Sequence, residues 1–442
     1  FRNFLFDRLV KRPDVLSAYL PKESVNDHLS GEFHIHKLPD SLFIPYCIGW
    51  SLRRILKRGL ITPSIISKPA KHLDTAIAHL TNFFFFGSQE YTGAQAASGF
   101  DIFLAPFVRH DKLSYEKVKQ AVQHMLFNLN YPARAGFQSP FTNITLVMDT
   151  SKQYLKENAI LGGKVLPDTL EEYLDEALMI NKALFELLID GDAGGQPFTF
   201  PIPTIMLTKD FDWNGRRWGE LTDLIFEALA KRGAAYLLNG YATNVEVLYS
   251  MCCRLTIDIS KVNSNQPKDE LYCALEHKAA HGMWAIPDAT GSIGVVTINL
   301  PRLAYLSKGD NAKFEELLLH ELKLAREVLK VMRSRYKRSM ELGLMPMTRV
   351  YLGTLANHFS TFGIIGLPEA AANFMGVKDL WERLERSEIE SAVKWMRDAV
   401  ALVRKYAEEC SAEDGVLYNV EEIPGESTGY RFASLDLKKL DG

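Results

Sequence analysis

The sequence has few cysteines, no long apolar run and no excess of charge of one sign. Its 442 residues include 5 cysteines, none spaced as Cys-x-x-Cys, so we expect neither a secreted disulfide framework nor a four-cysteine zinc site. A net charge of −3 lacks the basic character typical of nucleic-acid-binding proteins. No apolar stretch approaches the ~20 residues of a membrane span. These absences favour a reducing, cytoplasmic environment and predict neither membrane nor nucleic-acid partners.

Several common catalytic signatures are also missing. There is no His-Glu-x-x-His helix, no phosphate-binding loop ending in Gly-Lys-Ser/Thr and no Gly-x-Gly-x-x-Gly dinucleotide fingerprint. The sequence therefore gives little support for a zinc protease, a kinase or a dehydrogenase. Apolar residues make up 47% and charged residues 24% of the chain, which is an ordinary globular composition.

Long helical patterns alternate with short strand-like runs. Apolar residues at helical spacing predict helices over residues 168–189, 313–342 and 379–409, and residues 115–129 repeat the pattern. Short apolar runs predict strands over residues 143–148, 203–207, 255–259 and 294–300. This alternation indicates an α/β fold with a largely covered sheet. We expect a lead-in over residues 1–30 and one large catalytic domain over residues 31–442.

Two adjacent cysteines, Cys252 and Cys253, stand before a strand-like run. Their Cα atoms are ~3.8 Å apart, closer than structural disulfides usually span. A thiol used for chemistry is the remaining interpretation. Cys47, between Pro45 and Gly49, is either a buried apolar thiol or a thiol presented by a turn.

Two further polar patterns have both a structural and a functional interpretation. His34 and His36 alternate along a predicted strand and would share one face of it. Because no third ligand is evident nearby, histidines that order a site wall through hydrogen bonds are favoured over a metal site. Asn299 ends an apolar strand, where α/β folds place ligands, but it could equally cap the turn before Pro301.

Segments along the whole chain, in order, match one family. They are residues 31–38, 45–49, 101–107, 128–143, 195–204, 251–255, 297–302 and 363–369. As an ordered set they resemble the anaerobic, glycyl-radical ribonucleoside-triphosphate reductases. The resemblance runs from about residue 25 to the end of the sequence.

This resemblance implies a fold and a set of site residues. The fold is a ten-stranded α/β barrel of two antiparallel five-stranded halves, with a central finger loop carrying the radical cysteine. That cysteine is similar in position to Cys253, whose thiyl radical would abstract the 3′ hydrogen of a ribonucleoside triphosphate. Cys47 resembles the second thiol, which supplies reducing equivalents, and Asn299 resembles the amide that binds the ribose hydroxyls. Met251 and His36 are weaker candidates for substrate contact.

The resemblance also implies partners and cofactors. These are a glycyl radical, formate or a dithiol as reductant, dNTP or ATP effectors, an S-adenosylmethionine/iron–sulfur activating enzyme and a second copy of the chain. Zinc would belong only to a C-terminal segment, and no metal ligands are expected here. Residues 115–129 could form a dimer face that binds an effector, or could simply pack in the core.

The sequence departs from the family pattern in three places. Lys37 stands where the family commonly has an acid. The cysteine-rich zinc segment and the glycyl-radical segment are not seen; Gly429 has only a superficial similarity to the radical glycine, so we expect a reductase core that needs a radical from elsewhere. Two alternatives stay open: an acyltransferase resembling pyruvate formate-lyase, which would use Cys252 as well as Cys253, and an inactive paralogue that only binds nucleotides.

Overall fold

A computed structural model describes residue 4 and residues 8–133, 138–242, 290–382, 386–423 and 425–440. The chain forms two compact units. Unit 1 contains residues 1–46, 291–342 and 355–442, and unit 2 contains residues 47–290 and 343–354. Cys252, Cys253 and Met251, together with the strand predicted over residues 255–259, lie outside the described residues.

The described elements are named in chain order. The strands are β1 (Phe33–Ile35), β2 (Cys47–Trp50), β3 (Leu60–Ile61), β4 (Ile66–Ser67), β5 (Gln95–Ser98), β6 (Thr142–Leu146), β7 (Asn158–Leu161), β8 (Lys164–Thr169), β9 (Ile202–Leu207), β10 (Tyr236–Asn239), β11 (Gly291–Asn299), β12 (His358–Ile365) and β13 (Tyr418–Glu422). The helices are α1 (Pro13–Leu16), α2 (Lys22–Ser30), α3 (Leu52–Arg58), α4 (Leu73–Gly87), α5 (Phe100–Asp111), α6 (Tyr115–Asn130), α7 (Lys152–Leu155), α8 (Leu174–Asp190), α9 (Leu221–Arg232), α10 (Leu300–Ser307), α11 (Asn311–Glu341), α12 (Pro346–Tyr351), α13 (Leu367–Met375), α14 (Arg386–Asp414) and α15 (Glu426–Leu440). Within these ranges, no helix combines the length and apolar character needed to span a membrane.

Unit 2 is built on five parallel strands in the order β10-β9-β6-β5-β2. Helices occupy the connections between successive strands, as parallel pairing requires. The buried carboxylate of Asp101, in the first turn of α5, accepts hydrogen bonds from the backbone N–H groups of Val147 (3.0 Å) and Met148 (2.7 Å) after β6. It also accepts one from the Asn181 side chain of α8 at 2.9 Å, so a single residue links a strand end to two helices.

Unit 1 is built around β11, all nine residues of which are buried. β1 pairs antiparallel with β11, and β12 and β13 continue from it as parallel neighbours. The long helix α11 packs on these strands through an apolar stripe that includes Leu318, Leu322 and Leu329. Leu16, Leu20 and Val25, from the first thirty residues, share this core.

Most predicted elements are confirmed within small shifts of their ends. The helix predicted over residues 313–342 is α11, and the strands predicted over 143–148, 203–207 and 294–300 are β6, β9 and β11. The predicted 168–189 helix begins later, at Leu174, because a 3-10 turn precedes it. The predicted 379–409 helix is α14; residues 379–382 are a turn outside it.

The helix predicted over residues 115–129 is α6, and its apolar stripe belongs to the core of unit 2. Val118, Val122, Met125 and Leu126 are each fully buried. Of the two interpretations of this stripe, a dimer face or core packing, core packing therefore applies to these four side chains.

A group of ion pairs centred on Arg326 and Asp414 joins the two long helices of unit 1. The Arg326 guanidinium of α11 donates to both carboxylate oxygens of Asp414 at the end of α14, at 2.9 and 2.7 Å. The Tyr418 hydroxyl donates to the same carboxylate at 2.9 Å. Chiefly through the Arg326 hydrogen bonds, the pKa of Asp414 is lowered from 3.8 to about 2. Because the Asp414 side chain is 14% exposed, solvent screens this pair only in part.

We expect Asp414→Asn to lower the free energy of unfolding by about 2 kcal/mol at pH 7. The folded-state pKa lies below the unfolded value, so this contribution is present above pH ~4 and is lost as pH falls from there towards 2. Urea denaturation of both proteins between pH 3 and pH 7 measures the difference. Asp398→Asn, on an exposed position of the same helix, is the control; a difference that does not shrink in acid would contradict the account.

Candidate functional site

Asn299 lies at the end of β11 and caps the following helix. Its Oδ1 accepts the backbone N–H of Arg302 at 3.3 Å, and its Nδ2 donates to Gly31 O at 3.0 Å and to Asp436 Oδ2 at 3.1 Å. The side chain is 1% exposed. The amide thus has the predicted strand-end position and also the capping role, and all its hydrogen-bonding groups are used within unit 1.

Arg302 is a fully buried cation beside Asn299. Its Nη1 donates to Ser30 O at 2.8 Å and lies 3.1 Å from Glu32 Oε1, and its Nε donates to Asp436. The two carboxylates keep a small exposed fraction, 14% for Glu32 and 20% for Asp436. A buried guanidinium needs such partners because an unpaired charge in the interior is very costly.

Gly31 makes this arrangement possible. It ends α2 with φ of 87°, in the left-handed region that favours glycine. A Cβ atom there would lie 2.7 Å from Leu435 Cδ1 and 3.1 Å from Arg302 Nη2. The chain therefore turns from α2 into β1 at a point where only glycine lets α15 and the guanidinium approach.

Three imidazoles line the same part of unit 1. The ring centroid of His34 lies 4.8 Å from that of His36 and 5.3 Å from that of His28, which confirms that the two strand histidines share a face. His36 Nε2 is 2.7 Å from the Thr297 hydroxyl of β11, and His28 Nδ1 accepts the Ile35 N–H at 3.1 Å. His34 Nδ1 is buried without a hydrogen-bond partner among the described residues.

Burial keeps these rings neutral. It lowers the pKa of His28 to about 3, of His34 to about 2 and of His36 to about 4, with smaller contributions from neighbouring positive groups. At neutral pH each ring can therefore donate one hydrogen bond and accept one, but none serves as a proton donor in the imidazolium form. This part of unit 1 can order a polar ligand rather than protonate it.

Cys47 begins β2 in unit 2. It is 1% exposed, and its Sγ accepts the backbone N–H of Ala94 at 3.4 Å. In the same strand, the Trp50 ring packs edge-on against Phe83 and Tyr91. Cys47 is therefore a buried thiol at the start of a strand and not a thiol presented by an exposed turn.

Gly429 lies inside α15. Its φ is not positive, and a Cβ atom there would make only an ordinary contact, 3.8 Å from Ile365 Cδ1. No feature of this backbone demands glycine. Gly425–Gly429 also fits the Gly-x-Ser-x-Gly pattern of hydrolase nucleophile turns, but Ser427 is helical and lacks the strained turn that such nucleophiles occupy.

Arg302, Glu32 and Asp436 were not identified as site residues from the sequence. A signal for Arg302 does exist, because a charged residue within Leu300-Pro301-Arg302-Leu303-Ala304 interrupts an otherwise apolar helix start. Its partners lie 270 residues before and 134 residues after it, and spacing cannot reveal them.

Known structures share this fold. The anaerobic ribonucleotide reductase from Thermotoga maritima with dATP bound in the specificity site aligns with 95% of this chain and 67% of its own, with a TM-score of 0.73 and 23% identity. The same enzyme in complex with dATP and CTP aligns with a TM-score of 0.70 and 24% identity, over 95% of this chain and 66% of its own. The α/β fold is thus confirmed, and it is the fold of the ribonucleotide reductase class.

The sequence profile of anaerobic ribonucleoside-triphosphate reductases matches residues 4–442, so the chain belongs to that family of oxidoreductases. The Escherichia coli (strain K12) enzyme is 26% identical over 340 residues, covering 70% of this chain and 42% of the relative. The Haemophilus influenzae enzyme is 23% identical over 462 residues, covering 95% of this chain and 59% of the relative. The chain therefore spans about half the length of these curated relatives. The acyltransferase alternative is not favoured.

We expect Arg302→Lys to lower the free energy of unfolding by about 3 kcal/mol, because one ammonium cannot replace a planar fork that serves two carboxylates and a carbonyl. Urea denaturation at pH 7 measures the loss. Arg397→Lys, at an exposed position of α14, should change stability little. Equal stability of Arg302→Lys and the parent protein would show that the guanidinium geometry is not required.

Proposed function

We propose that this protein reduces ribonucleoside triphosphates to 2′-deoxyribonucleoside triphosphates by thiyl-radical chemistry. The observation that carries the proposal is the family match over residues 4–442, which extends through both units. In this family a glycyl radical supplies the oxidising equivalent that starts the reaction.

Three residues would carry the reaction. A thiyl radical on Cys253 abstracts the 3′ hydrogen of the ribose, after which the 2′ hydroxyl leaves as water. Cys47 contributes reducing equivalents, which formate or an external dithiol completes. Asn299 binds the ribose hydroxyls, with His36 and Met251 near the substrate.

The surroundings of Cys47 support its role. A carbon-centred radical must be kept from solvent, and a thiol that reduces it must be equally protected. Cys47 is buried in a strand whose neighbours are aromatic rings. Its burial shields a hydrogen-atom donor in the way that this step requires.

Asn299 can bind a hydroxyl group only by exchanging a partner. Its Oδ1 caps α10, and one N–H is directed to Gly31 O within the chain turn. The contact with Asp436 is the exchangeable one, because Asp436 is 20% exposed and also pairs with Arg302. A ribose hydroxyl would thus replace the Asp436 carboxylate at Asn299 Nδ2.

The remaining assignments follow the same family chemistry. We include a dNTP or ATP effector, an S-adenosylmethionine/iron–sulfur activating enzyme, a homodimer and a cytoplasmic location. The Thermotoga maritima structures, with dATP in a specificity site and with CTP, support nucleotides as effector and substrate. Since the apolar stripe of α6 is buried, a dimer contact on this helix would use its outer side, where Phe127 is 62% exposed.

Serine substitutions separate the roles of the cysteines. In the activated full-length protein, Cys253→Ser should abolish deoxynucleotide formation because no thiyl radical can form, while Cys252→Ser should retain it. Cys47→Ser should block reduction but still permit exchange of the substrate 3′ hydrogen with solvent. Chromatography of nucleotide products and loss of a 3′ tritium label are the measurements.

Cys410→Ser is the control, since Cys410 is a buried thiol of α14 without a proposed role. Equal loss in Cys252→Ser and Cys253→Ser would favour acyl transfer. Nucleotide binding without turnover in the activated parent protein would instead indicate an inactive paralogue.

A further inference from the structure

Three potential metal ligands meet between α2 and α11 in unit 1. They are Asp27 of α2 and the adjacent pair His320 and Glu321 of α11, and their ligand atoms all lie within 4.8 Å of one another. Among the described residues, no other group of three histidine, cysteine or acidic side chains has ligand atoms this close to one another. It shares no residue with the Asn299 and histidine cluster.

Glu321 is the reason to expect an ion here. It is 5% exposed, and its Oε2 is buried without a hydrogen-bond partner among the described residues. A buried carboxylate with an unpaired oxygen is costly unless a cation or donor compensates it. Burial, followed by the neighbouring Asp27 and Glu32 carboxyl groups, raises the pKa of Glu321 to about 8, so a bound cation would displace a proton from it.

The Arg302 guanidinium, whose charge acts on Glu321, already has other partners. Arg302 pairs with Glu32 and Asp436, and its remaining contact is to Ser30 O. It donates no hydrogen bond to the buried Oε2 of Glu321, which has no hydrogen-bond partner among the described residues. A bound cation would supply the partner that this oxygen lacks.

The two helices are held so that these side chains face each other. The Ser24 hydroxyl of α2 donates to Leu324 O of α11 at 3.4 Å, and Val25 is buried in the core that α11 shares. Asp27 and Glu321 thus approach from opposite helices, which are fixed by packing that does not involve the ligands. Glu23 Oε1, one turn earlier on α2, lies 3.8 Å from His320 Nε2 and offers a fourth donor.

The ligand atoms of this group favour one class of metal ion over another. One imidazole nitrogen with two or three carboxylates suits Mn²⁺, Fe²⁺ or Zn²⁺ better than Mg²⁺ or Ca²⁺, which prefer oxygen donors alone. Metal–ligand bonds of about 2.0–2.2 Å require the donors to close to about 3.5 Å of one another. His320 is half exposed and Asp27 partly so, which leaves both free to rotate by that amount.

We propose that Asp27, His320 and Glu321 form a binding site for a divalent transition-metal ion, with Glu23 beside it. The ion links α2 to α11 at Asp27, four residues before Gly31, which ends α2. Its role is structural, since none of its ligands belongs to the proposed reaction.

Mn²⁺ is the probe, because it favours oxygen and nitrogen donors over the thiols of this chain. Titration of the metal-depleted full-length protein, followed by the electron paramagnetic resonance signal of free Mn²⁺, should show saturable binding that Zn²⁺ competes away. Glu321→Gln and Asp27→Asn should each weaken this binding by at least about tenfold, the lower end of what even residues that only orient ligands contribute. Each variant should also lose the rise in melting temperature that Mn²⁺ gives the parent protein.

Glu315→Gln, at an exposed position of α11, is the matched control and should bind as the parent does. Circular dichroism of the metal-free proteins establishes that each variant is folded, and the two ligand variants lie on different helices, so one local defect cannot explain both. Absence of saturable Mn²⁺ binding in the parent, or parent-like affinity in either folded variant, would overturn the site.

Discussion

The organisation of unit 1 depends on the ion pairs made by the buried guanidinium of Arg302. It joins the start of α10 to the turn between α2 and β1 and to α15, segments far apart in sequence. Removing either carboxylate partner would leave a charge in the interior, so these three segments are held together or lost together. Asn299 takes its orientation from the same arrangement, because it bonds to Gly31 and Asp436 while it caps the helix of Arg302.

The three histidines of unit 1 lie in a different electrostatic environment from that of Arg302. Their rings are kept neutral by burial, whereas the Arg302 guanidinium is paired with two carboxylates. Neutral donors and acceptors of this kind would suit the proposed reaction, in which hydrogen atoms are transferred. Cys47 in unit 2 is likewise buried.

Local patterns in the sequence were sufficient to predict four of the longer helices, three of the described strands (β6, β9 and β11) and the shared face of two strand histidines. Apolar periodicity located α11 within two residues at its start, and alternation placed His34 and His36 on one side of β1. The position of Asn299 at a strand end also followed from local pattern. What local pattern could not supply was pairing over distance: Arg302 with Asp436, or Asp27 with Glu321, since nothing in either segment marks its partner.

In the proposed reaction, a ribonucleoside triphosphate loses its 2′ hydroxyl after hydrogen abstraction at the 3′ carbon. The most direct measurement is anaerobic turnover of the activated full-length protein with substrate that carries either hydrogen or deuterium at that carbon. We expect 2′-deoxyribonucleoside triphosphate from both substrates, formed more slowly from the deuterated one. Failure to form any deoxynucleotide, or equal single-turnover rates with the two substrates, would contradict the account.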